Sequence, residues 1–173
     1  TYYDNGSWDV EPPVEVSGTD PVVYTYRYSK VYADYVVEHY KEDENGNYPT
    51  TPTESETISE DIGENVTATA KDYEGYCLNT QISSMTGVVT DPDEGEGLVL
   101  KLYYDVDVVG GGEGGKDPDD IPDKYQKKVT FKIVNGQWSN GSTEDIVGYV
   151  TLLNEEGKWD KNGKASLTTP TGM

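Results

Sequence analysis

The chain has 173 residues, 33 of them Asp or Glu against 13 Lys or Arg, for a formal net charge of −20. Such a charge repels nucleic-acid phosphates and anionic membrane surfaces, and no apolar run approaches the roughly 20 residues of a membrane helix, so neither nucleic acid nor membrane insertion is expected. The single cysteine, Cys77, excludes an intrachain disulfide.

Tyr is abundant, 15 residues against one Phe, and suits a half-buried pleated surface with the ring on a core and the hydroxyl wet. In chain order, residues 22–28 read VVYTYRY, placing Tyr24, Tyr26 and Tyr28 on one face by the period of two. Residues 35–41 read YVVEHYK and predict a second strand. A short helix is expected at 59–63, capped by Ser59 with Asp61 in its first turn. Residues 65–71 (NVTATAK), 97–104 (GLVLKLYY), 129–134 (VTFKIV) and 146–153 (IVGYVTLL) predict further strands. Turn chemistry separates them at Asn5-Gly6, Asn45-Gly46, Asp91-Pro92-Asp93, Asn135-Gly136, Asn140-Gly141 and Asn162-Gly163. The main break is GGGEGGKDPDDIPD at 110–123, which holds few core-forming side chains and reads as a linker.

Little in the chain points to catalysis. His39 is the only histidine; it lies in a strand between Glu38 and Tyr40 and is expected to be a structural surface residue. A Ser-His-Asp triad would have to use it, and no nucleophile-elbow motif is present. Cys77, between Tyr76 and Leu78, reads as a small buried thiol. With so many acids, some carboxylate pair falls at glycosidase separation by chance, and none stands in an apolar setting that would raise its pKa. The run GGGEGG lacks the Lys-Ser/Thr and the following helix of a phosphate loop. Trp8, Trp138 and Trp159 read as core or edge packing, with stacking on sugar rings as the alternative. The chain is therefore expected not to be an enzyme.

Two resemblances sharpen this reading. The strand YVVEHYKEDENGN (35–47), the segment TISEDIGENVTATAKDYEGYCL (57–78) and the strand GVVTDPDEGEGLVLKLYYDVD (87–107) follow in the order of a mucin-binding-protein (MucBP) repeat of Gram-positive surface proteins, which residues 33–107 resemble. Residues 129–173, VTFKIVNGQW to ASLTTPTGM, resemble the first half of a clostridial-type surface repeat distantly similar to the internalin B-repeats. The second half of that repeat resembles the amino-terminal segment: NGSWDV at 5–10, Pro12-Pro13, then VVYTYRY.

The resemblances imply a mostly β chain of two small β-grasp or ubiquitin-like modules. One spans 30–108; residues 109–124 are a Gly/Asp-rich linker; 125–173 form a half-module that 1–29 complements, in cis or in trans. They imply an extracellular, cell-surface or cell-wall location, in a piece of a longer protein. The expected role is a structural stalk or fibre subunit whose partners are copies of itself, through 1–29 and 129–173. The alternative is an adhesin module that binds host or mucin glycans. The string KDPDDIPDKYQ resembles a degenerate calcium loop found before such repeats, which makes Asp117, Asp119, Asp120 and Asp123 the candidate calcium ligands. Asp120 stands where that loop has Gly, and a solvated linker is the competing reading. Asp91, Asp93, Glu94 and Glu96 form a second acidic cluster, read as a charged hairpin tip.

Overall fold

The computed structural model describes residues 6–28 and 31–171. The expectations for residues 1–5, 29–30 and 172–173, Asn5 of the Asn5-Gly6 turn among them, lie outside the described residues. The chain is mostly β, with no α-helix among the described residues. Among the described residues twelve strands follow one another: β1 (Ser7–Trp8), β2 (Tyr26–Arg27), β3 (Tyr32–Lys41), β4 (Glu54–Asp61), β5 (Asn65–Thr67), β6 (Tyr76–Leu78), β7 (Thr86–Val88), β8 (Val99–Val106), β9 (Gly110–Gly111), β10 (Asp117–Pro118), β11 (Gln126–Phe131) and β12 (Ile146–Thr151). Two 3-10 turns, Glu113–Gly115 and Asp123–Tyr125, punctuate the second half.

The largest sheet has the order β4-β3-β8-β6; the pairs β1-β2, β5-β7, β9-β10 and β11-β12 form two-stranded sheets. The helix expected at 59–63 is not formed. Ser59, Glu60 and Asp61 continue β4, because a β-strand ladder satisfies their backbone groups where five residues of helix could not cover the cost of nucleation.

The chain divides into two compact units. The first holds the described residues up to Val37 with Glu56–Ala68 and Thr86–Leu100. Ala33, Tyr35, Val37, Ile62, Val66, Ala68, Val89 and Leu100 are its buried apolar residues. Within it the Val36 amide donates to the Leu98 carbonyl at 3.0 Å and the Ile62 amide to the Val31 carbonyl at 3.0 Å. β5 pairs with β7 antiparallel, Val66 facing Gly87. A Cβ at Gly87 would stand 2.6 Å from Leu98 Cδ1, so a larger residue there would make the Leu98 side chain shift. In the β1-β2 ladder Trp8 pairs with Tyr26 and meets its ring edge-on at 4.8 Å; the Asp9 carboxylate accepts from Arg27 Nε at 2.7 Å.

The second unit holds Glu38–Ser55, Thr69–Met85 and the described residues from Lys101 onward. Its buried apolar residues are Tyr40, Cys77, Leu102, Tyr104 and Trp138, with His39, Glu42, Asn79, Asp105 and Asp107 buried beside them. β6 runs antiparallel to β8, Cys77 opposite Asp105. β11 and β12 pair over six residues each, from Gln126 opposite Thr151 to Phe131 opposite Ile146. Trp138 is buried and donates Nε1–H to the Glu144 carbonyl at 2.7 Å.

The segment 109–124, expected as a linker, carries hydrogen-bonded structure. β9 pairs with β10, and the buried Asp107 carboxylate accepts the amides of Asp119 at 3.0 Å and Asp120 at 2.8 Å. Asp120 has φ +63°, a left-handed conformation that Asp tolerates better than most residues. A short acidic side chain thus occupies the place where a glycine was missed, and the turn forms around it.

Candidate functional site

The second unit carries a groove of about 410 Å³ lined by three short segments. The first is the turn after β3. The Asp43 carboxylate accepts the amides of Asn45 at 2.8 Å and Asn47 at 2.9 Å, and Gly46 takes φ +78°, which sets Asn45 and Gly46 on the rim. The second is the 3-10 turn Asp123–Tyr125. Its start is fixed by Pro122, and the Tyr125 amide closes it on the Pro122 carbonyl at 2.9 Å. The third is the turn at 159–162, where the Asp160 amide donates to the Leu152 carbonyl at 3.0 Å and the Asp160 carboxylate accepts the Asn162 amide at 2.8 Å.

Tyr125 and Trp159 stack in this groove, ring centroids 5.6 Å apart and planes 26° from parallel. Both are half-buried. The Trp159 amide is tied to Gln81 Oε1 at 3.0 Å. Asn45, Asp160, Lys161 and Asn162 supply polar groups around the rings. An aromatic surface beside amide, ammonium and carboxylate groups suits a ligand with one apolar face and many hydroxyls, since each ring offers dispersion contact and each polar group a hydrogen bond.

Lys124 also lines the groove, its side chain 25 % exposed, and its ammonium meets a set of buried carboxylates in a polar centre. Lys124 Nζ stands 3.1 Å from Glu42 Oε2, 3.1 Å from the Tyr48 hydroxyl and 3.3 Å from Asp105 Oδ2. Asp105 is fully buried and Glu42 is 4 % exposed. The Asp105 carboxylate also accepts the Tyr48 hydroxyl and, at 2.7 Å, the Asn79 side-chain amide. Glu42 Oε1 accepts the Val106 amide at 2.7 Å. Desolvation works against the Lys124 charge, but the hydrogen bond to Tyr48 and the carboxylates of Asp105 and Glu42 outweigh it and hold the ammonium above its ordinary range. Burial, followed by the bond to Asp105, holds the Tyr48 phenol above its ordinary range.

The candidate calcium ligands are spread over the loop rather than pooled. Asp117 lies in β10 and is exposed. Asp119 spends one oxygen on the Ile121 amide at 3.1 Å and the other on the Gln126 side-chain amide at 2.7 Å. The exposed Asp120 donates its amide to Asp107 at 2.8 Å. Asp123 accepts the amides of Val108 at 3.2 Å and Val109 at 3.2 Å; its pKa is raised by burial first, against the opposing effect of those amides and with the charges of Asp107 and Asp119 adding to the rise. Among the described residues no three His, Cys, Asp or Glu side chains form a group that could hold a metal ion. In the first unit, Asp91, Glu94 and Glu96 line a groove of about 270 Å³ with Ile62 and Val89, and Asp91 accepts the Asp93 amide at 2.9 Å.

His39 is not a surface residue. It is fully buried and its Nδ1 lies 2.8 Å from the Tyr104 hydroxyl. The alternation that buries Ala33, Tyr35 and Val37 in β3 carries His39 to the same face, a signal present in the sequence and overridden by residue type. Cys77 is buried; desolvation, with the carboxylates of Asp107 and Asp105 adding to it, pushes its thiol far above the ordinary range. Of the three tryptophans, Trp138 is core, Trp8 packs on an edge and Trp159 lines the groove. Lys124, Glu42, Asp105, Asn79, Tyr48 and Tyr125 carried no distinguishing signal in the sequence, because their partners lie tens of residues away. No family model, no curated protein and no solved structure matches this chain.

Proposed function

We propose that this chain is a non-enzymatic extracellular unit of a bacterial surface protein, acting as a structural stalk or fibre subunit built from β-grasp-like modules. One observation carries the reading: large apolar side chains are exposed to solvent near both ends of the chain. Trp8, Val10, Val22, Val23, Tyr26 and Tyr28 are exposed around β1 and β2, and Val134, Ile146, Leu153 and Leu167 around β11 and β12. Both pairs are two-stranded sheets, which are marginal alone in water and gain stability from added strands. Copies of the same chain can supply those strands, residues 1–29 of one copy completing 129–173 of another. The acidic surface keeps such an array soluble at high local density. Sedimentation velocity across a wide concentration range tests this: association that grows with concentration and is lost when Tyr26 and Tyr28 are replaced by Ser supports it. A chain that stays monomeric at every concentration refutes it.

The groove favours a second reading, in which the unit binds a host or mucin glycan on the Tyr125–Trp159 surface. Quenching of tryptophan fluorescence by mucin oligosaccharides, abolished in Trp159→Ala, is the expected result; equal quenching in that variant removes the reading.

A further inference from the structure

The polar centre at Lys124 holds two buried carboxylates around one amine. Lys124 Nζ is 3.1 Å from Glu42 Oε2 and 3.3 Å from Asp105 Oδ2. Groups held in contact like this react as if present at effective concentrations on the order of 10⁵–10⁸ M. Asp105 is fully buried, and its carboxylate is fixed from both sides: Tyr48 donates to Oδ1 and the Asn79 amide to Oδ2. A hydroxyl aimed at one carboxylate oxygen is what the developing negative charge of an addition step requires. Glu42 is 4 % exposed, anchored by the Val106 amide on its other oxygen, and touches the amine but receives neither of those donors.

We infer that Lys124 and Asp105 condense to an intramolecular amide bond, with Glu42 as the proton relay. The ammonium gives one proton to Glu42, which passes it to Oδ2 of Asp105; the freed lone pair of Nζ then attacks Cγ of the neutral acid, forming the C–N bond as the carbonyl electron pair moves onto Oδ1, where Tyr48 stabilises the charge. The nitrogen then gives up a second proton. Both protons reach Oδ2 through Glu42, the Cγ–Oδ2 bond breaks, and one water leaves. The nitrogen keeps one hydrogen as the amide, and Glu42 returns to its carboxylate form, so the step needs no oxidant, reductant or activated co-reactant. Condensation replaces a partly buried ion pair with a neutral group and leaves Glu42 as the remaining carboxylate of the centre. The bond goes beyond the stalk reading and does not depend on it, though it would fasten the 3-10 turn Asp123–Tyr125 to the sheet strand β8.

Mass spectrometry of the intact, folded full-length chain tests the bond. The expected mass is one water below that of the sequence, and fragmentation of a proteolytic digest joins the peptide containing Lys124 to the peptide containing Asp105. Glu42→Gln restores the full mass, and so does Lys124→Arg, which keeps the charge but cannot condense. A folded wild-type chain at full sequence mass overturns the proposal. A linkage from Lys124 to any residue other than Asp105 overturns it equally, as does a Lys124→Arg chain that still lacks the water. The measurement on the wild-type chain stands whether or not the variants fold.

Discussion

The Tyr104 hydroxyl sits 2.8 Å from Nδ1 of His39, two fully buried side chains on the neighbouring strands β8 and β3. The same oxygen accepts the Lys71 amide at 2.9 Å. One phenol thus serves a histidine ring and a backbone amide at once, which explains why tyrosine rather than phenylalanine fills this core position. Tyr104→Phe keeps the ring and removes both bonds. The expected loss is about 1–3 kcal/mol, the cost of buried polar groups deprived of a partner, read as a lower denaturation midpoint with an unchanged slope.

Stability should fall on the alkaline side. Burial, with the Glu38 carboxylate beside it, pushes the Tyr40 phenol up to about 12. Burial and the charge of Glu54 push Tyr73 up to about 12. The Cys77 thiol is raised by desolvation and then by Asp107 and Asp105. A group whose folded pKa is raised stabilises the fold fully below its unfolded value, about 8.5 for a thiol and about 10 for a phenol. That contribution is lost progressively as the pH climbs above those values toward the folded ones. Urea midpoints measured between pH 7 and 11 should therefore decline from about pH 8.5 upward, and Cys77 should resist alkylation in the native state while reacting in urea.

Asp107→Ala is expected to loosen the acidic loop. The Asp107 carboxylate is 2 % exposed and holds the amides of Asp119 and Asp120. Without it, hydrogen exchange at those two amides should accelerate by about tenfold or more, as for loss of a bond worth at least 1.4 kcal/mol. Exchange in β11 and β12 should change little. Unaltered protection at 119 and 120 would show that the strand pairing of β9 and β10 alone orders the loop.

Gly115→Ala tests close packing in the same region. A Cβ there would meet the Tyr149 ring at 2.4 Å, and the residue has φ +69°. Both effects act against alanine, and a loss of about 1–3 kcal/mol is expected. Gly157→Ala, with φ +78° and open space around its Cβ position, should cost less, since only the backbone conformation opposes it. Equal thermal shifts for the two variants would mean that the Tyr149 contact contributes nothing.

The strands were legible wherever burial follows the period of two. Val37 and Tyr35 in β3, Leu100 and Leu102 in β8 and Val66 in β5 are buried as their spacing demands. His39 obeys the same spacing, but a polar side chain is assigned to the surface unless a buried partner is known, and Tyr104 is 65 positions away. The run at 110–123 read as a linker because its own side chains build no core; the group that orders it, Asp107, precedes it.

The sequence by itself determined the mostly β character, the buried thiol and the acidic surface, because each depends on composition or on neighbours within a few residues. The tertiary structure alone decided the polar centre and the groove it adjoins. Lys124 reaches Glu42 across 82 positions and Tyr48 across 76, and Trp159 reaches Gln81 across 78. Contacts at such separations are set by which strands share a sheet and where its connecting turns fall, and no local pattern of residues encodes that choice.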